Sequence, residues 1–123
     1  YTAYENGDYY WYITIDEFQD KFTDVDYIWW HHGSLHRDND LPATIMIDSY
    51  DGIICKIWHN RGKIHRENDQ PAVIQDSYKA WYKHGMIHRK GNKPAKIYTD
   101  GTVEYWYKDT QTDEFGVTEY ANF

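Results

Sequence analysis

Apolar and polar residues alternate with period two through the clearest strand in the chain, over 102–108. Val103, Tyr105 and Tyr107 fall on one side, and Glu104, Trp106 and Lys108 on the other. In the preceding copy Ala80 and Tyr82 take the first side and Lys79, Trp81 and Lys83 the second, so the Trp side reads as the more polar one. Asp100-Gly101 separates this strand from another over 95–99, and Asp-Gly is a favoured hairpin signal because Gly takes positive φ at little cost. Asp51-Gly52 and Asp76-Ser77 occupy the matching places further up the chain. Near the start, Asn6-Gly7 ahead of Asp8-Tyr9-Tyr10-Trp11-Tyr12 predicts a first hairpin. Asp16-Glu17-Phe18-Gln19 then offers an Asp cap with Gln three positions on, and Phe18 and Phe22 stand one helical turn apart. These signals predict a short helix over 17–23.

The hairpins belong to an internal repeat. Trp29-Trp30-His31-His32-Gly33-Ser34-Leu35-His36-Arg37 is followed by four mixed residues and Pro42-Ala43-Thr44-Ile45. Trp58, Gly62, His65-Arg66 and Pro71-Ala72-Val73-Ile74 keep the same intervals, as do Trp81, Gly85, His88-Arg89 and Pro94-Ala95-Lys96-Ile97. Trp to Gly is four residues, Gly to His three and His to Pro six in each of three copies, while the length from Ile to the next Trp varies. A fourth copy starts at Trp106-Tyr107 without the Gly or the His-Arg, and reads as a cap. The organisation expected is an N-terminal cap over 1–26, a repeat array over 27–108 and an acidic C-terminal cap over 109–123. The predicted fold is all-β, an elongated antiparallel meander of stacked β-hairpins with one short N-terminal helix.

Composition narrows the function classes. At 123 residues the chain is too short for a multidomain enzyme, and with 13 Tyr and 6 Trp against a mean hydropathy of -0.92 its apolar surface sits in rings with polar tips. Net charge is -7: residues 1–26 carry seven acids and one Lys, residues 27–108 nine acids and twelve bases, and residues 109–123 four acids. The bases of the middle section are interleaved with acids, which argues against nucleic acid as a partner. Cys55 has no internal disulfide partner and there is no Asn-x-Ser/Thr acceptor, a combination that points to an intracellular or virion setting.

Trp-Tyr-x-x-Gly-x-Ile-His-Arg-x4-Pro-Ala-x-Ile, broken by Asp-Gly at a period of about 23 residues over 27–108, resembles the divergent MORN-type repeats abundant in giant DNA viruses and also present in phages. The resemblance implies hairpin arrays that act in protein association, often as homodimers. It also implies a location in the virion or host cytoplasm, and it supplies no catalytic residues.

The remaining chemistry is weighed against structural roles. His36, His65 and His88 recur as a column, and imidazole suits zinc or a pH response. Rings spaced about 10 Å apart along a sheet cannot converge on one ion, so bonding to a loop carbonyl or to the next copy is expected instead. The His31-His32 pair could add ligands only if His36 or another copy folded over it. Asp38-Asn39-Asp40 and Glu67-Asn68-Asp69 lack the Gly and Glu of an EF-hand loop and read as polar turns. Cys55 lies in an apolar run and reads as a packed thiol, and no residue unique to one copy stands out as catalytic. The chain is therefore expected to be no enzyme and to need no cofactor or metal. Trp29, Gly33, His36, Arg37, Pro42 and their counterparts, with Trp106, are expected to be structural, and Ile57, Tyr82, Tyr105 and Tyr107 to form an uncovered apolar face that must meet loops, the terminal segments or a second copy, with a homodimer predicted. Membrane association is not expected. A ligand-binding aromatic ladder for glycan, choline or lipid headgroups is the alternative from another class.

Overall fold

In the computed structural model the described residues are 2–5, 9–15, 25–48 and 52–112. They form an all-β, antiparallel meander, and among them there is no helix. The helix expected over 17–23 lies outside the described residues. The chain divides into two compact units, Tyr1–Lys63 and Ile64–Phe123, so the division falls inside the second copy of the repeat.

In the first unit β1 (Thr2–Glu5) pairs with β2 (Tyr9–Ile15), the hairpin that Asn6-Gly7 predicts. β2 pairs over its full length with β3 (Val25–His31), from Tyr9↔His31 to Ile15↔Val25. The end of β3 turns back at His32-Gly33 onto β4 (Ser34–Leu35). The body of β3 pairs with β5 (Thr44–Asp48), and β5 pairs with β6 (Gly52–Ile57) through a register shift between Met46 and Ile47. β7 (His59–Asn60) and β8 (Lys63–Ile64) flank the turn at Arg61-Gly62.

The second unit follows the same plan. β9 (Val73–Gln75) and β10 (Tyr78–Ala80) are joined at Asp76-Ser77. β11 (Tyr82–Lys83) and β12 (Met86–Ile87) flank His84-Gly85. β13 (Lys96–Tyr98) pairs with β10 and with β14 (Val103–Tyr107) across Asp100-Gly101, and β14 pairs with β15 (Thr110–Thr112). The Asp100 carboxylate accepts the Thr102 N–H at 2.8 Å, the local bond that makes Asp a good turn residue.

The core corrects the expected division of faces. Trp29, Trp58 and Trp81 are only 7%, 7% and 8% exposed, and Ala43, Ala72 and Ala95 are sealed completely. Strand β10 stops at Ala80 and β11 starts at Tyr82, so alternation does not run through Trp81. Ala80 and Trp81 are consecutive and both buried, and the break between β10 and β11 falls at Trp81. At Trp58 and Trp81 the chain leaves the main sheet, whereas β3 runs on through Trp29 to His31; in all three copies the Trp is core rather than polar surface.

Candidate functional site

The segment from Trp to Pro-Ala is a closed excursion from the sheet. Trp29 N–H donates to the Ala43 carbonyl and Trp81 N–H to the Ala95 carbonyl, both at 2.8 Å, so the chain leaves and returns at neighbouring points. Two left-handed turns fold each excursion. The first has positive φ at His32-Gly33, Arg61-Gly62 and His84-Gly85, where Gly at the second position removes the steric cost. The second has positive φ at Asn39-Asp40, Asn68-Asp69 and Gly91-Asn92, residue types that tolerate the region. These are the polar turns expected ahead of each Pro, and Asn and Asp in their left-handed pairs were a readable turn signal.

Arginine braces the excursion from within. Arg37 Nη1 donates to the Pro42 carbonyl at 3.3 Å, Arg66 Nη1 to that of Pro71 at 3.0 Å and Arg89 Nη1 to that of Pro94 at 3.0 Å. The Arg37 guanidinium lies 3.7 Å from the centroid of the Trp29 ring, and that of Arg89 lies 3.9 Å from Trp81. Arginine thus covers the aromatic ring and bonds the loop end with one planar group, which lysine cannot do.

Histidine joins one excursion to the next. His36 Nδ1 accepts the Arg61 N–H at 3.1 Å, His65 Nδ1 accepts the His84 N–H at 3.0 Å, and His88 Nδ1 accepts the Lys108 N–H at 3.3 Å. An accepting Nδ1 fixes the neutral tautomer with its proton on Nε2. That proton points to Asp38 from His36 at 3.0 Å and to Glu67 from His65 at 2.7 Å. The His65 bond is the main reason the Glu67 carboxyl titrates below its usual range. His65 and His88 are each 4% exposed. Burial, reinforced by Lys83, Lys108 and Lys90, pushes His88 down to about 4.

Two further bonds repeat between excursions. Gly62 N–H donates to the Leu35 carbonyl and Gly85 N–H to that of Ile64, both at 2.9 Å. Trp58 Nε1 donates to the Asp40 carbonyl and Trp81 Nε1 to that of Asp69, both at 3.0 Å. Gly33 makes the same turn in the first copy, and Pro42 and Pro71 are buried. The positions that recur in the sequence are therefore those that close one excursion or tie it to its neighbour.

The fourth copy keeps more of the pattern than its sequence shows. Lys108-Asp109 forms the left-handed turn, with φ of 47° and 67°, one residue nearer its Trp than in the other copies. Asp109 N–H donates to the Ile87 carbonyl at 3.0 Å, and Asp109 Oδ1 accepts the Ile87 N–H at 2.8 Å. Because β14 runs on through Trp106, whose Nε1 donates to Glu104 at 3.0 Å, alignment on the Trp hides this turn.

The residues expected on an open apolar face are all half-buried: Ile57, Tyr82, Tyr105 and Tyr107. Tyr107 packs against His88 with ring centroids 4.7 Å apart, and burial raises the Tyr82 hydroxyl above its usual pKa. The open large apolar side chains among the described residues are Leu41, Ile53 and Val103. His31 lies between His32 and His36, at 4.0 and 5.8 Å between centroids, yet among the described residues no group of three or more His, Cys, Asp or Glu is placed to hold a metal ion. Cys55 is buried and forms no disulfide.

No family model, curated protein or solved structure matches this chain.

Proposed function

We propose that the chain is a non-catalytic, MORN-like repeat module that works by protein association, pairing with a second copy of itself and serving as a scaffold in a virus particle or the host cytoplasm. One observation carries this reading. The His, Arg and Trp that recur most strictly bond neighbouring parts of the repeat framework, with His36, His65 and His88 each accepting a backbone N–H from the following turn. Side chains used in this way build a rigid frame and leave function to the surface around them. The contact with the second copy is assigned to the half-buried Ile57, Tyr82, Tyr105 and Tyr107, and the viral setting rests on the repeat resemblance.

Burial of Trp29, Trp58 and Trp81 favours association over an aromatic ladder, because a sugar or choline group needs an open ring face on which to stack. Light scattering at micromolar concentrations should give the mass of a dimer, and a strict monomer would overturn the pairing. Titration with choline and with a glycan array, followed by Trp fluorescence, should show no saturable change. Saturable quenching by either would turn the reading to ligand binding.

A further inference from the structure

The second unit holds a cleft of about 500 Å³, between the polar turns of the second and third copies. Its walls carry Arg66, Lys83, Arg89, Lys90 and Lys93 against only two acids, Glu67 and Asp69, an excess of three positive charges in a protein whose net charge is -7. Trp81 and Tyr82 contribute aromatic surface, and Gly91 lines the cleft without a side chain.

Alignment of the copies shows where this charge comes from. Two positions after the Trp, the copies read His31, Asn60 and Lys83; two after the His they read Asp38, Glu67 and Lys90; just before the Pro they read Leu41, Gln70 and Lys93. The third copy has Lys at all three positions, and all three line the cleft. Framework residues are kept while residues around one cavity change together, in one direction of charge.

The change at Lys90 works against the local rule of the repeat. Asp38 and Glu67 receive the Nε2 proton of the His before them, whereas the third copy sets an ammonium near a buried His88. Sites where a local rule is broken against stability are those where function is expected. Within the cleft Asp69 already receives Arg89 through two bonds, at 2.9 and 3.2 Å, and Lys93 at 3.2 Å. This carboxylate draws Arg89 and Lys93 together at the cleft, which Lys83 and Lys90 also line.

We infer that this cleft binds a soluble, phosphorylated small molecule of up to nucleotide size, with Lys83, Lys90 and Lys93 meeting its phosphate oxygens. A phosphate group concentrates close to two negative charges on one centre, matching several lysines in a small volume better than single carboxylates do. A volume of about 500 Å³ also leaves room for an organic moiety beside the phosphate.

The test uses calorimetric titration of the whole chain with ATP and inorganic pyrophosphate, with sodium sulfate as the control at equal ionic strength. The variant Lys83→Asn, Lys90→Glu, Lys93→Gln carries the residues of the second copy at the same positions and is expected to fold. Saturable binding of ATP is expected in the native chain, weakened roughly a hundredfold in the triple variant. Lys93→Gln alone, at a side chain 56% exposed, gives a smaller loss and serves if the triple variant does not fold. The inference is overturned if ATP and pyrophosphate fail to bind or bind no better than sulfate, or if the variants bind as tightly as the native chain. It is also overturned if a hexaglutamate peptide binds more tightly than ATP, or if only vesicles containing phosphatidic acid bind.

Discussion

His65 takes the backbone N–H of His84 on its Nδ1 at 3.0 Å while giving its Nε2 proton to Glu67 at 2.7 Å, so one buried ring joins two successive excursions in a single protonation state. Replacing His65 by Ala removes both bonds and leaves the His84 N–H without this acceptor. The expected cost is about 2–4 kcal/mol in urea unfolding. His65→Asn keeps a carbonyl oxygen near the Nδ1 position and should lose less than half as much. Equal losses in the two variants would mean that the acceptor is not what matters.

Stability should fall with acid in a defined window. The unfolded His88 ring takes a proton near its ordinary value of about 6.5, and the folded one only near 4, because it is buried beside Lys83, Lys108 and Lys90. Below 6.5 the unfolded state therefore binds more protons than the folded state. The contribution of His88 is complete above about 6.5 and is lost as pH drops towards 4. Urea midpoints measured across this interval should decline. Lys90→Glu supplies the carboxylate that His65 already has, and should raise the midpoint of the His88 ring resonance in an NMR titration. A midpoint near 6.5 in the native chain would contradict the assignment.

Gly33 isolates the conformational cost of the first turn. Its φ is +80° and a Cβ built there meets nothing within 4 Å, so Gly33→Ala should lose about 1 kcal/mol from the backbone alone. Gly33→Asn should recover part of that, since Asn tolerates left-handed backbone. Denaturant midpoints for the pair would decide, and an unchanged Ala variant would place the constraint elsewhere.

Arg89 should not tolerate Lys. The substitution loses the fork onto Asp69, the bond to the Pro94 carbonyl and the planar contact with Trp81. A loss of about 1–2 kcal/mol is expected, with only part of it removed by salt, because stacking and the carbonyl bond are not screened as the ion pair is. A loss abolished at high salt would assign the whole effect to the ion pair.

Much of the β architecture is readable from residues that set φ or pair locally. Asp100-Gly101, Asp76-Ser77 and the fixed Trp-Gly-His-Pro intervals give the hairpins and the repeat, and His36, His65 and His88 do bond to the next copy as the column suggests. The division of faces is not readable, because period-two alternation breaks at Trp81, where the strand stops. No local pattern marks that break: the ring is buried by an Arg eight residues later and by a carbonyl from the preceding turn. The turn at Lys108-Asp109 escapes for a different reason. It lacks Gly and comes one residue early, and only the pairing of Asp109 with Ile87 identifies it. The lysines of the third copy look like ordinary solvated charges until the fold gathers them around one cavity.

Asp109 also shows how such a series can stop. Its main chain offers Ile87 the bond that a glycine gives elsewhere, and its carboxylate takes the amide of the same residue in return. A shortened or extended version of the protein could carry this residue as its end-piece, sealing the last module without a bespoke terminal domain.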